Sequence, residues 1–149
     1  MNYLLHYNAE QVQFEPAAPA AGVNYTSPIG DASKRLLLNI DVEFQASVAV
    51  ANRLLYVSIT PSGFTERVIA MAPAVITAGL RAKVIFTIDA PTVAAVPGGA
   101  TGVQQMSALP SGIWLNPADQ FTLGVVNIQA ADQIDPILVT YLRNLILSQ

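Results

Sequence analysis

Cysteine is absent from this 149-residue chain, and His6 is its single histidine. Without a thiol there is no disulfide framework and no thiolate metal cage. One histidine leaves a transition-metal site short of nitrogen ligands, and a Ser-His-Asp relay would have to borrow it from the extreme N-terminus. Charge is the second scarcity. Only 11% of the residues are charged, where a soluble domain carries about 25%. The formal net charge is −3 and Lys34-Arg35 is the one adjacent basic pair. That is no basic stripe of the kind that displaces counterions from a nucleic acid. Long apolar runs are missing too. A spanning helix needs ~18 uninterrupted apolar residues, and the nearest approach, residues 68–76, is nine long and split by Pro73. The start, Met1-Asn2-Tyr3-Leu4-Leu5-His6-Tyr7, lacks the basic head and cleavage site of a signal peptide.

What remains is an apolar chain. At 52% apolar residues and with too little charge to wet a lone monomer, its outer face is expected to meet other protein, with self-association into a homotrimer favoured. The length fits one domain.

From Lys34 onward the hydrophobic period is two. Leu36, Leu38, Ile40, Val42 and Phe44 share one face against Asn39, Asp41 and Glu43, which describes a strand buried on one side. Leu55, Val57 and Ile59 repeat the pattern and stop at Pro61-Ser62-Gly63. Further strands are predicted over 67–72, 81–89, with Ala82, Val84, Phe86 and Ile88 inward, then 103–109, 120–127 and 136–145. Residues 97–102 hold three glycines and read as a loop. Helix signals are nearly absent, apart from one turn's worth around residues 72–79. The expected fold is all-β: an antiparallel β-sandwich, a jelly roll of about eight strands.

Residues 1–33 read differently. A short strand at 11–14 precedes Glu15-Pro16-Ala17-Ala18-Pro19-Ala20-Ala21-Gly22, whose prolines forbid a continuous helix. The expected organisation is an extended N-terminal arm, 1–33, and a sandwich domain, 34–149. A disordered leader is the competing reading of the arm. Tyr3, Leu4, Leu5, Tyr7 and Phe14 favour an arm that docks on a partner, and they are the candidate partner-binding residues.

No residue pattern points to catalysis. Asp119, Asp132 and Asp135 fall in corner segments where oxygen ligands could hold calcium, but their spacing matches no calcium loop and turn-forming Asp explains each locally. Nothing places two carboxylates across a cleft as glycoside hydrolysis requires. Trp114, between Ile113 and Leu115, reads as core or interface, with stacking on a sugar as the other reading. The chain is expected not to be an enzyme and to need no cofactor.

The run from Arg35-Leu36-Leu37-Leu38-Asn39-Ile40-Asp41-Val42-Glu43-Phe44 to Asn52-Arg53 resembles the opening strands of small jelly-roll virion proteins of tailed bacteriophages. Leu109-Pro110-Ser111-Gly112-Ile113-Trp114-Leu115 resembles their leucine-proline corner, and Ile128-Gln129-Ala130-Ala131-Asp132 the turn before their last strand. The similarity covers about residues 34–143 and leaves the arm out. It implies a structural component of the virion. The expected role is a capsid cement or decoration protein on the capsid surface, assembled in the host cytoplasm and bound to the major capsid protein. A neck, tail or fibre-associated jelly roll that binds the host surface is the alternative. Neither nucleic acid nor membrane is an expected partner.

Overall fold

Alternating apolar residues place one face of each strand against a second sheet, and two such sheets close on each other in the computed structural model. It describes residues 9–28, 33–89, 93–97 and 102–144. The strands are β1 (Ala9–Phe14), β2 (Tyr25–Thr26), β3 (Lys34–Gln45), β4 (Leu54–Thr60), β5 (Arg67–Met71) and β6 (Arg81–Ile88). They continue with β7 (Val93–Pro97), β8 (Val103–Leu109), β9 (Trp114–Leu115), β10 (Gln120–Val126) and β11 (Gln133–Asn144). One sheet of seven strands runs β1-β11-β3-β6-β8-β7, with β9 beside β3; the other, of four, runs β2-β10-β4-β5. The expected all-β sandwich is what the chain forms. One pair departs from antiparallel: β6 and β8 run parallel, and the chain between them passes through edge strand β7.

The core lies between the sheets. Phe44 and Phe86 are fully enclosed, with Ile40, Val42 and Val84 beside them from the larger sheet and Leu55, Val57 and Leu123 from the smaller. The predicted inward face of β6 holds, although Ile88 is only half-buried, and β10 buries Phe121, Leu123 and Val125.

The face of β3 does not hold along its whole length. Thr140 pairs with Asn39 but Tyr141 with Leu37, so Leu38 is an extra residue bulged out of the ladder. Side chains alternate, so one inserted residue exchanges the two faces. Beyond the bulge Leu37 and Arg35 turn inward, where the plain alternation assigned Leu36 and Leu38; both of these are half-exposed. A second irregularity sits on β11 between Ile134 and Ile137, where Asp135-Pro136 are accommodated. Proline lacks the ladder donor and belongs at such a break.

The boundary expected between residues 33 and 34 is not a boundary in the sheets. β1 pairs with β11 along six positions, and β2 pairs with β10 through Thr26 and Tyr25. Tyr25 is a core residue. Buried Ser27 exchanges backbone and side-chain hydrogen bonds with Phe121, whose N–H it accepts at 3.0 Å. Of the expected arm, the described residues 9–28 strap an edge strand onto each sheet. Three further strands lay outside the expected set: β2, β7 and β9. Residues 72–79 form no helix; Ile76 instead bridges to Arg53. Pro97 belongs to β7, Gly102 lies outside the strands, and 98–101 lie outside the described residues.

Candidate functional site

At the end where β3 leaves the sheet, residues 46–52, 72–80 and 127–132 come together. The first two segments are neutral and built almost wholly of small and aliphatic residues, so nothing in their sequence holds them by charge. Backbone bonds tie them: Ala46 N–H to Leu80 O at 2.9 Å, Gly79 N–H to Ser47 O at 2.9 Å, and a reciprocal pair between Arg53 and Ile76 at 3.0 and 2.8 Å. Gln105 of β8 accepts the Ala74 N–H at 3.3 Å, and Leu55 accepts the Ala72 N–H at 2.8 Å.

Beneath these loops lies a fully enclosed ion pair. Arg53 donates side-on to Asp132, Nε to Oδ2 and Nη2 to Oδ1, both at 3.0 Å. The rest of each group is used. Asp132 accepts the Ser47 N–H and the Gln129 N–H at 2.8 Å each. Arg53 donates to Ala51 O at 2.9 Å and Ser47 Oγ at 3.0 Å. A buried pair persists when its remaining donors and acceptors are satisfied in this way. Burial alone would raise the Asp132 carboxyl, but Arg53 and the Ser47 and Gln129 donors outweigh it and hold it below the usual range. The same turn receives the strap, because Gly22 donates to Asp132 O at 2.8 Å. Gly22 has φ +73° and stands so close to the Ala130 backbone that a Cβ would lie 2.7 Å from its Cα, which suits glycine alone.

On top of this clamp Val48 is 88% exposed and Val50 97%, with Val75 and Leu80 also exposed in the adjoining loop. A fixed backbone therefore presents aliphatic side chains to water. Scattered apolar side chains on a surface are ordinary, whereas a group gathered at one rigid end marks an interaction site.

The opposite end is built on Asp119, which accepts the Ser62 N–H at 2.9 Å and the Asn116 N–H and Nδ2 at 2.8 and 3.0 Å. Burial pushes this carboxyl up, but those donors and the charge of Arg35 bring it below the usual range. Asp119, Asp132 and Asp135 are not brought together: the first two each cap their own turn and Asp135 is exposed. No group of three potential metal ligands occurs among the described residues. On the outer face of the larger sheet Glu43 pairs with Arg81 and Asp41 with Lys83, a solvated ladder of neutralised charges.

Trp114 is 42% exposed in β9 with Lys34 Nζ 5.5 Å from its ring centroid. It is therefore not a core residue, because the two-residue strand buries Leu115 and turns its neighbour outward. Of the candidate arm anchors, Tyr3, Leu4, Leu5 and Tyr7 lie outside the described residues, as does His6. Phe14 is half-buried and meets Tyr141 of its own sheet edge-on, ring centroids 5.7 Å apart. Arg53 was not anticipated as a site residue. The sequence places it one residue before β4, and its partner is 79 positions away. An arginine opening an apolar strand, with an Asp closing a small-residue turn elsewhere, was the available signal.

No known protein family matches the chain, and no curated protein matches it. A similar solved structure, that of PfGH50B, shares 13% identity over 94% of this chain with a TM-score of 0.30; the chain spans 19% of that protein's length. Similarity at that level bears on neither chemistry nor partner.

Proposed function

We propose that the chain is a structural virion protein of a tailed bacteriophage: a capsid cement protein, self-associated as a trimer, that seats its Val48 and Val50 end on the major capsid shell. The single observation that carries this reading is the pair of valines held out to water over a buried ion pair. Burying an aliphatic side chain of this size stabilises a complex by roughly 1.5–3 kcal/mol before association costs, and the clamped backbone needs little further ordering. A lipid surface is a poorer fit, since membrane-seated segments carry aromatic and basic residues and residues 46–52 and 72–80 have no Lys, Arg, Trp or Tyr. The sequence similarity to jelly-roll virion proteins supports the same class. No catalytic chemistry is assigned.

One observation favours a second reading. The exposed Trp114 beside Lys34 would suit contact with a host-surface glycan in a neck, tail or fibre protein.

The experiment is co-sedimentation of the full chain with tail-less shells of the phage that encodes it. Wild-type protein should pellet with shells and a V48D/V50D double variant should not, while its melting stays near wild type because both sites are exposed. Equal binding by the double variant overturns the docking end. Wild-type protein that follows purified tails instead of shells overturns the cement role in favour of the tail reading.

A further inference from the structure

The two outer faces of the sandwich are unlike. On the larger sheet Glu43 pairs with Arg81 and Asp41 with Lys83. The four strands of the smaller sheet, β2, β4, β5 and β10, carry one charged residue between them, Arg67 at the start of edge strand β5. An antiparallel sheet with one face in water ordinarily turns polar side chains to it.

What the smaller sheet turns outward is largely apolar. Leu55 and Val57 of β4 lie in the core, so alternation sends Leu54, Tyr56 and Ser58 to the other side. The register sets Val126 beside Leu54, Gly124 and Met71 on either side of Tyr56, and Val68 beside Ser58. Val68 is 55% exposed, Met71 45% and Val126 41%. The Tyr56 ring lies over Gly124 and leaves no room there for a Cβ. Around this centre stand Thr26 and Thr122, joined hydroxyl to hydroxyl, and Glu66, which accepts from Ser58. A tyrosine among exposed aliphatic side chains, ringed by polar groups, has the anatomy of a protein interface.

We propose that this face is the surface through which copies of the chain associate, its occupant being a second copy. The inference rests on the trimeric cement reading and gives the trimer its surface. Two observations choose the occupant. The first is charge. The centre of the face offers no counter-charge, so a charged partner would bury its charges unpaired, whereas the same face of another copy is equally neutral. The second is direction. β4 begins beside Arg53, under the Val48 and Val50 loop, and ends just before Ser62, which Asp119 holds at the opposite end. The face therefore lies along the side of the molecule. Copies joined by their sides about an axis along the strands point every Val48 and Val50 end the same way, as seating on one shell requires.

The test is sedimentation equilibrium of the full chain over a concentration series. Wild-type protein should have the mass of a trimer. V68D/M71D should have that of a monomer and melt near wild type, because both sites are exposed. V48D/V50D adds the same charge at the end of the molecule and should remain trimeric. The chain has no cysteine, so M71C carries a single thiol. Maleimide should modify it roughly tenfold more slowly than in V68D/M71C, because an interface core excludes water, while V48C should react equally with and without V68D. A V68D/M71D protein that keeps the wild-type mass overturns the proposal and leaves the cement reading standing. Dissociation of V68D/M71D in a protein whose wild type binds no shell supports the proposal and counts against the cement reading alone. A monomeric wild type whose M71C thiol is protected only when tail-less shells are added overturns the second copy and gives the face to the shell. A monomeric wild type whose thiol reacts freely in both conditions overturns the face as a docking surface.

Discussion

Arg53 and Asp132 meet across 79 residues of sequence, both side chains fully enclosed and joined by two hydrogen bonds of 3.0 Å. The pair holds two loops at once, because Asp132 also accepts from Ser47 and Gln129. Replacing Asp132 alone leaves a buried guanidinium uncompensated. Asp132→Leu is expected to cost about 3–5 kcal/mol, and an Arg53→Met/Asp132→Leu double variant less than the sum of the two single changes. Urea denaturation of the four proteins measures the coupling. Additive losses would mean that the two side chains act separately.

The same pair sets an acid limit. Asp132 and Asp119 both titrate below the ordinary carboxylate value in the folded protein. A carboxyl with a lowered folded value contributes stability that is fully present above its unfolded value, about 3.9. That contribution is lost as pH falls through the folded value. The urea midpoint should therefore be insensitive to these two groups between pH 7 and about 5 and should fall below about 4. Asp132→Asn should be destabilised at neutral pH and show a shallower acid decline. A variant with the wild-type decline would assign the acid sensitivity to Asp119.

Phe44 and Phe86 occupy the centre of the core with no exposed surface. Truncating either to alanine should cost roughly 3–5 kcal/mol, through lost transfer energy and the cavity left behind. Denaturation midpoints check both, and an unmoved midpoint for either would place that ring outside the core.

Alternation made much of this legible in advance. Ile40, Val42 and Phe44, like Ala82, Val84 and Phe86, announce their inward face because side-chain direction in a strand has period two. The bulge at Leu38 was not legible. Its extra residue is defined only against the register of β11, and an apolar Leu36-Leu37-Leu38 run satisfies either face. Arg35 was hidden for the same reason. The ion pair was visible as two separate fragments, Asn52-Arg53 and Ala131-Asp132, but local patterning cannot join residues so far apart. Trp114 read as core or interface because aromatics dominate both; a strand two residues long has one side to bury, and Leu115 takes it, which leaves Trp114 on the surface.

The strap leads to the last prediction. Removing residues 1–33 was compatible with an intact sandwich as long as the sheets were expected to begin at Lys34. The pairing says otherwise. β11 loses its β1 partner over six positions and β10 loses β2. The core loses Tyr25, whose ring packs on Phe121 at 5.8 Å, and the buried Phe121 N–H loses the Ser27 oxygen. An uncovered strand edge also templates pairing with other chains. The truncated protein should therefore melt at least about 6 °C lower than the full chain, since a loss of only 3 kcal/mol shifts a domain of this size by roughly 6–12 °C, and it should aggregate on purification. Circular dichroism and light scattering compare the two proteins directly. A truncated protein that melts with the full chain and stays dispersed would show that the larger sheet closes without its strap.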